Sequence, residues 1–90
     1  MPTVHLLIKG KVQGVFYRKT SKEIANEKGI TGWVRNTDDG DVEIIASGSE
    51  AALQDYINWC HTGPSRAVVK EVKVTSIANE NFTTFEVKRG

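Results

Sequence analysis

The chain has one cysteine, Cys60, so no intramolecular disulfide can staple it and no thiol pair can hold a soft metal. Cys60 lies in a helical pattern, where a small buried apolar side chain is the simpler reading than an activated nucleophile. An excess of one charge is also missing: 12 Lys and Arg stand against 11 Asp and Glu, a net charge of +1. No global field therefore recruits nucleic acid or an anionic membrane, and any anion site has to be local. Nowhere does an apolar run approach the roughly 20 residues of a membrane span, and Met1 to Leu7 lacks the basic and long apolar regions of a leader. A cytoplasmic protein is expected. Metal-binding patterns are equally scarce. His5 and His61 are isolated, while Asp38, Asp39 and Asp41 lack calcium-loop spacing and suit a solvated hairpin, so neither metal nor cofactor is expected.

What is present suits one domain over residues 1–90 with one core, since 39% of the 90 residues are hydrophobic and 26% charged. Val4, Leu6, Ile8, Gly10 and Val12 alternate with His5, Leu7, Lys9 and Lys11, which predicts a first strand with one apolar face. Helix formers from Phe16 to Lys28 predict a helix with an inner stripe of Ile24, Ala25 and Lys28, stopped by Gly29. Ile30–Asn36 and Asp41–Ser47 read as a hairpin around Thr37, Asp38, Asp39 and Gly40. Ser49 can cap a second helix that buries Leu53, Tyr56, Ile57 and Cys60 and ends at Gly63-Pro64. Val68–Ile77 and a short segment in Phe82–Lys88 complete the list of strands. The order is βαββαβ with a terminal strand added. It predicts an α+β, ferredoxin-like split βαβ fold, an antiparallel sheet with two helices on one face. A right-handed crossover makes the first two strands parallel, so the loop after strand one and Asn36 at the end of strand two should meet.

That meeting point carries the candidate chemistry. Gly14 turns the chain into a helix start, where the amides of Val15, Phe16, Tyr17 and Arg18 can face an anion and the helix dipole favours negative charge. The Arg18 guanidinium can grip two phosphate oxygens at once. Each residue also has a plainer reading: Gly14 as a turn, Arg18 as a solvated surface charge, and Asn36 as ordinary hairpin chemistry. Trp33 and Trp59 fit the surfaces of sheet and helix, and Lys19, Lys22, Glu23, Glu27 and Lys28 form a mixed solvated face.

Over almost its whole length the chain resembles the acylphosphatases. Gly10, Val12, Gln13, Gly14, Val15 and Arg18 are similar to that family's first signature. Gly32-Trp33-Val34-Arg35-Asn36, with Gly40, Val42 and Gly48, is similar to the second, and Gly63-Pro64 with Ala67 to its helix-to-strand junction. Tyr17 departs from the phenylalanine of many members; its amide still serves, while its hydroxyl is expected at the edge of the pocket. The resemblance implies hydrolysis of acyl phosphates to a carboxylate and inorganic phosphate, the latter also an inhibitor. It implies catalytic residues Arg18 and Asn36, the first binding phosphate with Gly14, Val15, Phe16 and Tyr17 and the second orienting the attacking water. No cofactor, nucleic acid or membrane partner is implied, and a monomer is expected.

The rival is a non-catalytic module of the same fold that binds an anion or RNA. An RNA reader would place stacking aromatics on its central strands, whereas Val42, Glu43, Ile44, Ile45 and Ala46 offer none. A domain embedded in a longer protein is a further alternative, although the chain ends just after its last strand and looks complete.

Overall fold

The computed structural model describes residues 1–89. Alternation becomes geometry in β1 (Thr3–Lys11), where Val4, Leu6 and Ile8 are buried while His5, Leu7 and Lys9 point to the opposite face. The elements that follow are α1 (Tyr17–Glu27), β2 (Thr31–Asn36), β3 (Val42–Ser47), α2 (Glu50–Thr62), β4 (Val68–Ile77) and β5 (Phe85–Lys88). The sheet order is β4-β1-β3-β2-β5. β3 runs antiparallel to both β1 and β2, so β1 and β2 are parallel, as the crossover argument requires. These relations make the expected ferredoxin-like α+β fold, with one addition: β5 pairs parallel with β2, so the five-stranded sheet is mixed rather than wholly antiparallel.

Between the helices and the sheet lies a core of Val4, Leu6, Ile8, Val34, Val42, Ile44 and Ala46 with Leu53, Tyr56 and Cys60 of α2 and Tyr17 and Ala25 of α1. Each fully buried aliphatic or aromatic side chain here removes enough apolar surface from water to contribute about 1.5–3 kcal/mol. Val69 and Val72 of β4 both pack against this core although they are three residues apart. A register shift opposite Lys9 and Gly10 explains the spacing, because one extra residue in β4 returns the next valine to the inner face.

The first helix differs from its expected form in two respects. Phe16 is the residue before the helix rather than its first member, because its φ of 64° is left-handed and cannot continue a right-handed turn. At the other end Lys28 is the cap, and the buried stripe is Tyr17, Ser21 and Ala25 rather than Ile24, Ala25 and Lys28. Two polar residues are tolerated inside because both are bonded: the Tyr17 hydroxyl donates to the Cys60 carbonyl at 2.8 Å and the Ser21 hydroxyl to the Arg18 carbonyl at 2.8 Å. α2 follows the sequence closely. The Ser49 hydroxyl accepts from the Ala52 amide at 3.1 Å, and Gly63 closes the helix at φ 68°.

Gly32 shows why β2 and β3 can pair where they do. Its φ is +140°, and a Cβ built on it would overlap the Ile45 carbonyl oxygen. Gly32 pairs with Ala46, and the same register sets Asn36 opposite Val42. We expect Gly32→Ala to lose about 3 kcal/mol or more of stability, because backbone has to move and a left-handed φ is retained. Urea denaturation checks this; a midpoint within error of the parent would refute the close-approach argument.

Candidate active site

The two sequence segments separated by α1 do meet. A cleft of about 870 Å³ is lined by Val12, Gly14, Phe16, Tyr17, Arg18, Lys19, Lys22, Asn36, Val87 and Arg89. Gly14 and Phe16 both adopt left-handed backbone, at φ 73° and 64°. Left-handed residues of this kind turn successive amides into a concave nest for an anion. For Phe16, a residue with a Cβ, the conformation costs on the order of 1–3 kcal/mol, a local strain held by the surrounding fold.

The start of α1 is left open. No side chain caps it, and no acidic residue occupies its first turn. Among the described residues, no acceptor is bonded to the amides of Val15, Phe16, Tyr17 or Arg18. Four adjacent donors at the positive end of a helix are therefore available to a ligand. Arg18 enters the same cleft from the first turn and, among the described residues, makes no salt bridge. Its Nη1 donates to the Lys88 carbonyl at 3.4 Å, which ties the side chain to the end of β5 through a neutral acceptor.

Gln13 joins the two halves of the cleft. Its Nε2 donates to the Thr37 carbonyl at 2.9 Å and to the Asp41 carbonyl at 2.8 Å. The β2–β3 turn closes on itself beside this clamp, with the Thr37 amide bonded to the Asp41 carbonyl at 2.9 Å. One carboxamide thus fixes the loop before α1 against the residues that follow Asn36. Sequence reasoning placed Gln13 in a signature and gave it no task; a carboxamide beside a turn glycine was the available signal. Lys19, Lys22 and Arg89 were also missed as cleft residues. The lysines looked like one side of a mixed helix face, and Arg89 reaches the cleft only because β5 lies beside β2.

The expected positions otherwise divide. Gly14, Phe16, Tyr17, Arg18 and Asn36 line the cleft, whereas Val15 packs its side chain into the core and contributes backbone alone. Tyr17 contradicts its expectation in one respect. Its hydroxyl is not at the edge of the pocket: the residue is 1% exposed, and the ring lies 5.3 Å from that of Trp59. Burial pushes the phenol far above its ordinary range, so it stays neutral and structural. Cys60 is fully buried, and burial pushes its thiol up to about 12, the signature of an inert core cysteine.

Other polar groups lie on the sheet face away from the helices. His5 Nε2 meets Glu43 Oε2 at 2.7 Å, Arg35 Nε donates to Glu43 Oε1 at 2.6 Å, and Lys9 Nζ donates to Asp41 Oδ2 at 2.8 Å. Burial alone would raise the Glu43 carboxyl, but the bonds from His5 and Arg35 outweigh it and hold the group below the usual carboxylate range. Trp33 is covered by Lys88 Nζ at 4.6 Å from the ring. These are cross-strand pairs that hold the sheet together, with no opening toward the cleft's donors.

Comparison with known proteins bears on this arrangement as a whole. The family model described as Acylphosphatase matches residues 4–87. An acylphosphatase of Marinobacter nauticus is 52% identical over 90% of this chain and 89% of its own, and one of Haloquadratum walsbyi is 45% identical over 94% and 91%. The crystal structure of acylphosphatase from Bacillus subtilis superposes with a TM-score of 0.95 at 34% identity, covering 98% of this chain and 99% of that one. Sequence likeness and fold agree from β1 to β5, and the two signatures converge on one cleft. The chain belongs to the acylphosphatase family, enzymes that hydrolyse acyl phosphates.

Proposed function

We propose that Arg18 and the amides of residues 14–18 hold the phosphoryl group while Asn36 orients the water that attacks it. The observation that carries this reading is the convergence, on one cleft, of four amides and an arginine that have no acceptor or carboxylate partner among the described residues, and a carboxamide from another strand. A planar guanidinium and a ring of N–H donors match the equatorial oxygens of a phosphoryl group. Water attacks phosphorus in line, the phosphorus–carboxylate oxygen bond breaks, and the electron pair leaves with the carboxylate. A carboxylic acid of pKa about 4 departs as a stable anion near neutral pH, so no general acid is required. The cleft's described lining contains no Asp, Glu or His to act as base. The water's proton accordingly passes to an oxygen of the phosphoryl group itself. Gln13 acts indirectly, by holding the cradle and the Asn36 strand end in register.

We further infer that the chain acts as a cytoplasmic monomer without a nucleic-acid partner. All the groups in this reaction come from one chain, and a lone buried thiol suits a reducing compartment. On the open sheet face, the carboxylates of Glu43 and Asp41 sit where a phosphodiester backbone would have to lie.

Hydrolysis should persist after metal depletion, because positive charge at the cleft is supplied by Arg18 and amide dipoles. Steady-state rates before and after EDTA treatment check this; loss of activity restored by magnesium or zinc would overturn the mechanism. Arg18→Lys should lower kcat/KM about 10²-fold or more while leaving the urea midpoint unchanged, since an ammonium keeps the charge but not the two-pronged grip. Turnover close to that of the parent would return Arg18 to the status of a surface charge.

Asn36 separates nucleophile from substrate binding. Asn36→Ala should reduce kcat severely and leave competitive inhibition by inorganic phosphate nearly intact. Asn36→Asp should weaken phosphate binding as well, by placing a negative charge beside the anion, and added salt should relieve part of that defect. Inhibition constants at low and high ionic strength decide the matter. An alanine variant that no longer binds phosphate, or an aspartate variant equal to the parent, would end the water-orienting role.

A further inference from the structure

The cleft holds more positive charge than one phosphoryl group uses. Arg18, Lys19, Lys22 and Arg89 all line it, together with Phe16 and Val87, and no carboxylate of the described residues does. The whole chain carries only +1, so this is a local concentration built by the fold. Arg18 and Lys22 are four residues apart on α1, which stacks them on one helix face where like charges repel. Arg89 arrives from the other side, as the residue just past β5, where it lines the cleft with Val87 while Lys88 between them covers Trp33. None of these four cations belongs to the ion pairs of the described residues, which engage Lys9, Arg35 and His5 on the opposite sheet face. Gathering cations without counter-charge is unfavourable unless a ligand supplies it, and the phosphoryl group is already matched to Arg18 and the amides.

We propose that Lys22 and Arg89, reinforced by Lys19, form a subsite for a second anionic group on the acyl side of the substrate. The preferred substrates are then acyl phosphates whose acid carries another carboxylate or phosphate, rather than those of simple aliphatic acids. This rests on the phosphate-cradle reading above. Phe16, 69% exposed at the mouth, and Val87 provide the apolar wall along which the acyl chain would run between the two charged ends.

The test compares binding with turnover. Dissociation constants are measured by calorimetry for three non-hydrolysable probes: propylphosphonate, 4-phosphonobutyrate with a distal carboxylate, and propane-1,3-diphosphonate with a distal phosphonate. At least one dianionic probe should bind about tenfold more tightly than propylphosphonate at low salt, and the gap should shrink in about 0.5 M salt. The tighter of the two names the distal group. A Lys22→Gln, Arg89→Gln double variant should bring the ratio close to one, while Lys70→Gln, an exposed charge on β4, should preserve it. Circular dichroism and the urea midpoint of each variant establish that it is folded. Equal binding of all three probes by the parent, a ratio that survives the double variant, or an equal loss in Lys70→Gln would each overturn the subsite. Hydrolysis of acetyl phosphate and of succinyl phosphate, measured in parallel against their spontaneous rates, tests the underlying reaction separately: absence of both would refute the hydrolase reading, whereas hydrolysis with no probe preference refutes the subsite alone.

Discussion

The placement of β3 between β1 and β2 is the constraint on which the site depends. Because β3 is antiparallel to both neighbours, the chain leaves β1 and β2 at the same end of the sheet. That shared end is what brings residues 12–18 near Asn36. The pairing in turn depends on Gly32, where the Ile45 carbonyl occupies the space of a side chain, and on the Gln13 carboxamide, which spans the gap the strands leave between loop and turn. Backbone approach at Gly32 and the two Gln13 bonds thus hold the loop before α1 and the β2–β3 turn together at the cleft.

Much of this was legible in the order of residues, and the failures have physical causes. Alternation in β1 and the Ser49 cap of α2 are local signals, and both elements form where those signals lie. The start of α1 was misplaced by one residue because a left-handed phenylalanine is unfavourable by local rules and is held in place by the tertiary fold. The inner stripe of α1 was misread because Tyr17 and Ser21 count as polar until their hydroxyls are paired, and the Tyr17 partner lies 43 residues away. Likewise the terminal strand was foreseen but its direction was not: parallel pairing with β2 is a topological fact with no local signature. Of the cleft, the turn glycine and the helix start gave only a weak signal by spacing, Asn36 was placed beside them by topology, and their roles came from the family resemblance, while Gln13 and Arg89 gained meaning only once distant segments met.

Charge is distributed by function as well as by solubility. On the open sheet face, cations and anions are matched across strands, at His5, Glu43 and Arg35 and at Lys9 and Asp41. At the cleft they are unmatched among the described residues, and the helix end that lines it has no capping side chain or acidic residue in its first turn. A nearly neutral molecule thereby keeps one strongly positive region, which concentrates small anions without making the whole surface adhesive for polyanions.

The bond from Arg18 to the Lys88 carbonyl has a consequence for the timing of activity. It links residues 70 apart in sequence, and the cleft it borders runs from Val12 to Arg89. During synthesis, the strand that anchors the arginine is made some 70 residues after the cradle sequence. A nascent chain therefore carries the signature long before it can assemble the complete cleft, and fragments lacking β5 lose both the anchor and one wall. The cleft is in this sense a product of completed topology: the bonds that join its separate segments, from Gln13 to the β2–β3 turn and from Arg18 to β5, are long-range.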